Sequence, residues 1–219
     1  SYLADVYEKT LFDTIYHEHL AYHSVKPLIE FFRRFGLRLF SAERVSSHGG
    51  SLRGYVCRDE GPWAQDGSVE ELVDMEAKLG LYSADTFIDF ARNIDAVGAE
   101  LRSLLDALKA EGKSIAAFGA PAKATTLMYH FGIGPSVIDY IVDDSPLKQG
   151  LFSPGMHIPV LPSEEIYNRT PDAVVILAWN FAESIIKNHA SYMENGGLFI
   201  VPLPQVQVYG DNTRPSVAE

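Results

Sequence analysis

Cysteine is nearly absent: Cys57 stands alone in 219 residues, which excludes an internal disulfide and a cysteine-built zinc cluster. Its setting in Gly54-Tyr55-Val56-Cys57-Arg58 reads as strand and predicts a buried structural thiol in a reducing compartment. Basic residues are also scarce, 18 Lys and Arg against 29 Asp and Glu for a formal charge of −11, and no basic run exceeds the pair Arg33-Arg34. That excludes a polyanion-binding surface, and with it a nucleic-acid partner, while leaving room for a local phosphate site. No apolar run reaches the ~18 residues of a membrane span, and the first residues lack the basic start and apolar core of a signal peptide. A cytoplasmic protein with no membrane partner is expected. An initiator Met is missing as well, and Ser1 to Glu8 lead straight into a dense polar and aromatic segment, which predicts a piece of a longer chain. What remains is ordinary for a globular protein, 47% hydrophobic and 21% charged, enough for one large domain or two small ones.

Apolar periodicity organises the chain. Val25, Leu28, Ile29, Phe32 and Phe35 follow helical spacing behind a capping Ser24, with Gly36 ending the helix. Leu37 to Val45 alternates, with Ser41 as a lapse, and a second extended run around Leu52, Tyr55 and Val56 follows Gly49-Gly50. After the breaker-rich stretch Asp59 to Gly67, Ser68-Val69-Glu70-Glu71 fits a capping box opening a helix to about Leu79, and Thr86 to Glu111 reads as one long helix. Beyond Gly112 the pattern changes to short apolar runs (Ile115 to Phe118, Val137 to Val142, Ala173 to Ala178, Leu198 to Val201) alternating with helices near Pro121 to Phe131, Ser163 to Tyr167 and Phe181 to His189. This is the signature of an α/β, Rossmann-like parallel sheet flanked by helices.

The densest chemistry lies in Phe12-Asp13-Thr14-Ile15-Tyr16-His17-Glu18-His19-Leu20-Ala21-Tyr22. Extended backbone puts Tyr16 and Glu18 on one face and His17 and His19 on the other, whereas a turn brings all four together. Three readings stand side by side. The histidines His17, His19 and His23 can hold a metal, although the zincin pattern His-Glu-x-x-His fails at Ala21. The cluster can be structural, its polar groups satisfying one another. Or it can be an acid/base site, with an imidazole held by a carboxylate and a phenol aimed at a developing oxyanion.

The second half offers a phosphate-cradle candidate, where Gly119 ends a strand and Pro121 and Lys123 open a helix. It is neither Gly-x-Gly-x-x-Gly nor a Walker A sequence. Asp143 ends the next strand and is either a ribose-binding acid or a cap for the following turn. Together with Lys148 and Trp179-Asn180, these residues fall at the carboxyl edge of one sheet, where open α/β folds bind ligands. His48-Gly49-Gly50-Ser51 reads as a ligand-contacting loop or, as two glycines between strands more often are, only a turn, with His48 not catalytic.

The run from Phe12 to Tyr22, followed by His48-Gly49-Gly50-Ser51-Leu52-Arg53, resembles the deoxysugar C-methyltransferases that methylate dTDP-linked 4-keto sugars in antibiotic sugar pathways. The likeness extends from Tyr2 to about Gly210 through Gly119-Ala120-Pro121-Ala122-Lys123, Asp143-Asp144-Ser145-Pro146-Leu147-Lys148-Gln149-Gly150 and Pro154-Gly155-Met156-His157-Ile158-Pro159-Val160. It implies that His19 is the general base removing the proton alpha to the sugar ketone, that Tyr16 and Glu18 line the site, and that the enolate attacks the methyl group of S-adenosylmethionine. His17, Gly119, Lys123, Lys148 and Asn180 are the expected contacts to a nucleotide-linked sugar.

The resemblance further implies that residues 1–58 are the closing part of a class I methyltransferase domain, 59–112 a helical linker, 113–210 a Rossmann-like C-terminal domain and 211–219 a tail. On this expectation most of the S-adenosylmethionine site, and a zinc module that the family carries at its N-terminus, lie outside this chain. The rival functions are a noncatalytic nucleotide-sugar-binding module and, on residues 113–208, an NAD(P)-dependent oxidoreductase, which Gly119-Ala120-Pro121 disfavours for want of the glycines that let pyrophosphate approach.

Overall fold

The computed structural model describes residues 1–210; residues 211–219, expected as a tail, lie outside the described residues, as does the side chain of His48. The chain forms two compact units, Ser1–Ile94 and Asp95 onward.

The first unit contains α1 (Leu3–Glu8), a 3-10 turn (Phe12–Thr14), α2 (Val25–Arg33), the strands β1 (Leu37–Val45) and β2 (Ser51–Arg58), α3 (Ser68–Lys78) and the beginning of α4 (Ala84–Ala110). Tyr2, Ala4, Val25, Leu39, Ala42, Val69 and Leu81 make its core. β1 and β2 pair antiparallel from Leu37↔Arg58 to Val45↔Ser51, and the register shifts between Leu39 and Ser41. The lapse in alternation at Ser41 is therefore a β-bulge, which leaves Phe40 unpaired in the ladder and stacked on Trp63 with ring centroids 5.7 Å apart. Cys57 is half-buried and free, not the fully buried thiol expected, because β2 belongs to a two-stranded sheet whose outer residues meet solvent.

Both predicted helix caps are built differently from the local pattern. Ser24 occupies the N-cap of α2 without a side-chain bond. Its role falls to Glu76 of α3, whose carboxylate accepts the Val25 amide at 2.6 Å and the Lys26 amide at 3.4 Å. The same carboxylate accepts the Tyr2 hydroxyl at 2.9 Å and, in a very short contact, the Tyr82 hydroxyl. Glu76 is completely buried, so these four donors replace its water. The capping box expected at Ser68 does not form, since Gly67 is the N-cap with φ 87°. The Ser68 hydroxyl instead donates to Asp66 at 2.6 Å and accepts the Ala42 amide of β1 at 2.9 Å, which fastens the start of α3 to the hairpin.

Gly50 directly precedes β2, where the backbone passes over the buried Asp5. That aspartate bridges Lys9 at 2.7 Å and Arg44 at 2.8 Å, and Arg44 also reaches Glu8 at 2.6 Å. Gly50 has φ 153°, and a Cβ there would lie 2.2 Å from Asp5 Cγ. Gly50→Ala is expected to destabilise the first unit by about 2–4 kcal/mol, combining overpacking with an unfavourable backbone conformation. Urea unfolding followed by near-UV circular dichroism checks this.

The second unit carries the continuation of α4, then β3 (Ile115–Phe118), α5 (Ala122–Phe131), β4 (Tyr140–Val142), β5 (Val160–Leu161), α6 (Glu165–Arg169), β6 (Ala173–Ile176), α7 (Ala182–Asn188), α8 (Ala190–Glu194), β7 (Leu198–Val201) and β8 (Gln207–Tyr209). The six strands lie in the order β5-β4-β3-β6-β7-β8, parallel except for β8 against β7. This is the predicted Rossmann-like sheet, and its chain order reverses between β3 and β6, so the switch point lies at their carboxyl ends. One face packs Phe118, Val142, Val174, Ile176 and Phe199 against Ile166, Ile185 and Tyr192 of α6, α7 and α8. Toward α4 the fit is close as well, for a Cβ on Gly98 would lie 2.5 Å from the Phe131 ring, and Lys109 pairs with Asp139 at 2.9 Å. The helix expected near Phe181 to His189 is α7, with the unexpected α8 following it after His189, and the strand expected from Val137 begins only at Tyr140, because Val137 and Ile138 turn back to the Gly134 carbonyl.

Candidate functional site

In the first unit, residues 15–21 leave the 3-10 turn as irregular chain and fold back at once. The Tyr16 amide bonds the Thr14 carbonyl at 3.0 Å and the His19 amide bonds the Tyr16 carbonyl at 3.0 Å, so Tyr16-His17-Glu18-His19 is a turn. The floor beneath it is fixed by Tyr22, whose hydroxyl donates to the Thr14 carbonyl at 2.6 Å, and by Thr14, whose hydroxyl donates to the Leu11 carbonyl at 2.7 Å.

The turn brings three of the four candidates together. Tyr16 donates its phenol proton to Glu18 at 3.2 Å, and the same phenol oxygen lies 3.4 Å from Nε2 of His19. The Tyr16 and His19 rings overlap with centroids 4.8 Å apart and planes 30° apart. Burial and the neighbouring Glu18 carboxylate push the Tyr16 phenol above its ordinary pKa, so it stays a donor across the physiological range. His17 is 79% exposed, approaches Glu18 only to 3.8 Å and meets the Tyr16 ring edge-on at 5.6 Å between centroids. On the far side of the His19 ring, Nδ1 lies 2.9 Å from the hydroxyl of Ser1, a residue that motif reading passed over. No sequence signal marks Ser1, because its partner is distant along the chain.

Ser1, Glu18, His19, Leu20, Ala21, His23 and Ser51 line an open cleft of about 340 Å³. Among the described residues no three His, Cys, Asp or Glu side chains converge as a metal site. Glu18→Gln is expected to bring the Tyr16 phenol down toward its ordinary pKa, since the carboxylate's charge and its hydrogen bond both oppose ionisation. Ultraviolet titration of the variant against Tyr16→Phe identifies the shift.

The second unit gathers its candidates at the carboxyl edge of the sheet. Gly119 follows β3 with φ 90° and lies so close to the chain after β6 that a Cβ would meet that of Ala178 at 2.6 Å. Pro121 is the N-cap of α5, and the Ala120 amide, between Gly119 and Pro121 of the expected cradle, donates to Asp143 at 2.7 Å. Asp143 also accepts the Ser145 amide at 2.8 Å and Lys148 Nζ at 2.9 Å. These hydrogen bonds hold its carboxyl below the usual range against the opposing effect of burial. Of the two roles open to Asp143, the geometry matches the turn cap. Lys123 sits 3.8 Å from the centroid of the Trp179 ring in a cation–π contact, and Asn180 is exposed in the 3-10 turn Trp179–Phe181. The edge thus has its own internal cation and anion partners around the Gly119 turn.

A mostly parallel six-stranded sheet switching direction at Gly119 defines an α/β unit of Rossmann type. Residues 46–204 match the family described as the C-methyltransferase C-terminal domain, and the chain belongs to that family. It is 35% identical over 207 residues to C-methyltransferase NovU of Streptomyces niveus, an alignment covering 94% of this chain and 49% of the relative. The chain thus spans about half the length of the curated relative it matches. No helix among the described residues is long and apolar enough to cross a membrane.

Proposed function

We propose that this chain serves the C-methylation of a nucleotide-linked keto deoxysugar, and that its own contribution is to remove the proton alpha to the ketone. Membership of the C-methyltransferase family supports the reaction class. The observation that carries the reading is the His19 imidazole held between the Tyr16 phenol and the Ser1 hydroxyl at the wall of an open cleft. The sugar and its nucleotide come from the resemblance of the Tyr16–His19 segment to the deoxysugar enzymes.

His19 accepts the proton while the C–H electron pair becomes an enolate, whose negative charge builds on the former ketone oxygen. Tyr16, kept protonated by burial and by Glu18, lies 3.4 Å from the base and is assigned to that oxygen, its proton turning from Glu18 to the enolate as the charge develops. Glu18 orients Tyr16, and Lys123, Lys148, Asn180, Gly119 and His17 are proposed as sugar-nucleotide contacts. S-adenosylmethionine, the methyl donor of this reaction class, supplies an electrophilic methyl group. The cleft residues do not fit its ribose, since the carboxylate among them, Glu18, is engaged by Tyr16 and approached by His17, so no step is assigned to the donor side here. Residues 1–58 are proposed as the closing part of the domain that binds the donor, with 59–112 linking it to the Rossmann-like unit.

The test is transfer of a labelled methyl group from S-adenosylmethionine to a panel of dTDP-4-keto sugars by the full-length protein. Labelled sugar is the expected product. Absence of label with every member of the panel, while the protein binds S-adenosylmethionine, overturns the reading.

A further inference from the structure

The imidazole of His19 is contacted on both nitrogens, and counting protons assigns each contact a direction. A carboxylate only accepts, so the single phenol proton of Tyr16 goes to Glu18 at 3.2 Å. Toward Nε2 of His19, at 3.4 Å, the Tyr16 oxygen is left as acceptor, and Nε2 must carry the ring proton. The lone pair then lies on Nδ1, and the group facing it is the hydroxyl of Ser1 at 2.9 Å, the shortest contact of the set. We infer that Ser1 is a positioning residue for His19, holding the ring in the Nε2–H tautomer with Nδ1 as the basic nitrogen. This rests on the proposed role of His19 as base.

The backbone around Ser1 is held in place. Its neighbour Tyr2 is wholly buried in the first unit's core and donates to Glu76. Backbone bonds on either side of Tyr2 join this segment to the chain beyond the turn, from the His23 amide to the Ser1 carbonyl at 3.1 Å and from the Leu3 amide to the His23 carbonyl at 2.8 Å. Ser1 and His23 both line the cleft with His19. A hydroxyl suits the task because it both donates and accepts: it donates to Nδ1 of the neutral ring and, once the substrate's proton is on Nδ1, turns to accept from the imidazolium. The acidic C–H of a substrate reaches Nδ1 only after the hydroxyl has turned aside, so the contact fixes the ring before binding and steadies the cation after transfer.

The experiment uses the full-length protein with ¹⁵N-labelled histidine, His19→Asn supplying the resonance assignment. In the wild type, His19 is expected to show a protonated Nε2 and an unprotonated, hydrogen-bonded Nδ1. Ser1→Ala should move the Nδ1 resonance and lower kcat by about tenfold to a hundredfold with KM little changed, and Ser1→Thr should restore both, as expected for a lost orientation and not for a damaged fold. A proton on Nδ1 in the wild type, or a Ser1→Ala variant with unchanged resonance and kcat, overturns the inference while leaving His19 as base intact. Full methyl transfer by His19→Asn overturns the role of the base, and the wild-type resonances still decide whether Ser1 holds the ring.

Discussion

Replacing His19 by Asn in the full-length protein is expected to lower methyl transfer by about 10²–10⁴-fold, the usual worth of a positioned general base. Asparagine preserves much of the shape and can still hydrogen-bond to Ser1, but its amide does not take up a proton near neutrality. The loss should appear in kcat, because the proton is removed after the sugar is bound. A second readout isolates the step. With substrate and no methyl donor, the wild type should exchange the α-hydrogen of the sugar for solvent deuterium, and His19→Asn should not. A variant that exchanges at the wild-type rate would show that another group is the base. The Tyr16 phenol makes a further distinction: its removal in Tyr16→Phe should slow exchange while leaving the base in place.

Glu76→Ala is the second large effect. The carboxylate is completely buried and serves two tyrosine hydroxyls and the first amides of α2, so truncation leaves buried donors without an acceptor. A loss of about 3–5 kcal/mol in the unfolding of the first unit is expected. Fluorescence of Trp63 in a Trp179→Phe background reports on that unit, since the chain has two tryptophans, one in each. Glu76→Gln keeps one acceptor oxygen and should lie between the variant and the wild type. The hub also sets an alkaline limit. Burial, followed by the bonds to Glu76, raises the Tyr2 and Tyr82 phenols above their ordinary value. Because the folded state holds these protons more tightly, their contribution is intact below about pH 10 and is lost as pH rises beyond it. Unfolding midpoints in urea should fall from that pH upward in the wild type.

Periodicity carried most of the fold. The continuous apolar runs in Ile115–Phe118 and Ala173–Ile176 mark strands buried on both faces, and the glycine after β3 marks the turn at the switch point. Even the lapse at Ser41 had structural content, as the bulge at Phe40. The failures share one cause, which is that the deciding partner is remote. Ser24 looks like a cap, yet a carboxylate far along the chain supplies the bonds. Ser68 looks like a cap, yet β1 claims its hydroxyl. β5, with two residues, and β8, with three, are too short to show any period. At the candidate site, the chemistry of Tyr16, Glu18 and His19 was legible in residue types alone, whereas the choice between an extended run and a turn was not. It depends on backbone bonds at Thr14 and Tyr16 that no residue pattern displays. Ser1 was invisible for the same reason.

The brevity of β5 and β8 bears on how the second unit meets other molecules. They are the flanks of the sheet, β8 with three residues and β5 with two, and the outer side of β5 is already bonded to the chain, the Val160 amide to the Leu151 carbonyl at 2.9 Å and the Gly150 amide to the Val160 carbonyl at 2.8 Å. A flank this short gives an incoming strand little to pair with, so lateral growth into a larger sheet or a fibril has no template there. Recognition by this unit is thereby directed away from backbone pairing and toward side chains, and at the loops after β3, β4 and β6 Lys123 stands over Trp179 and Lys148 against Asp143.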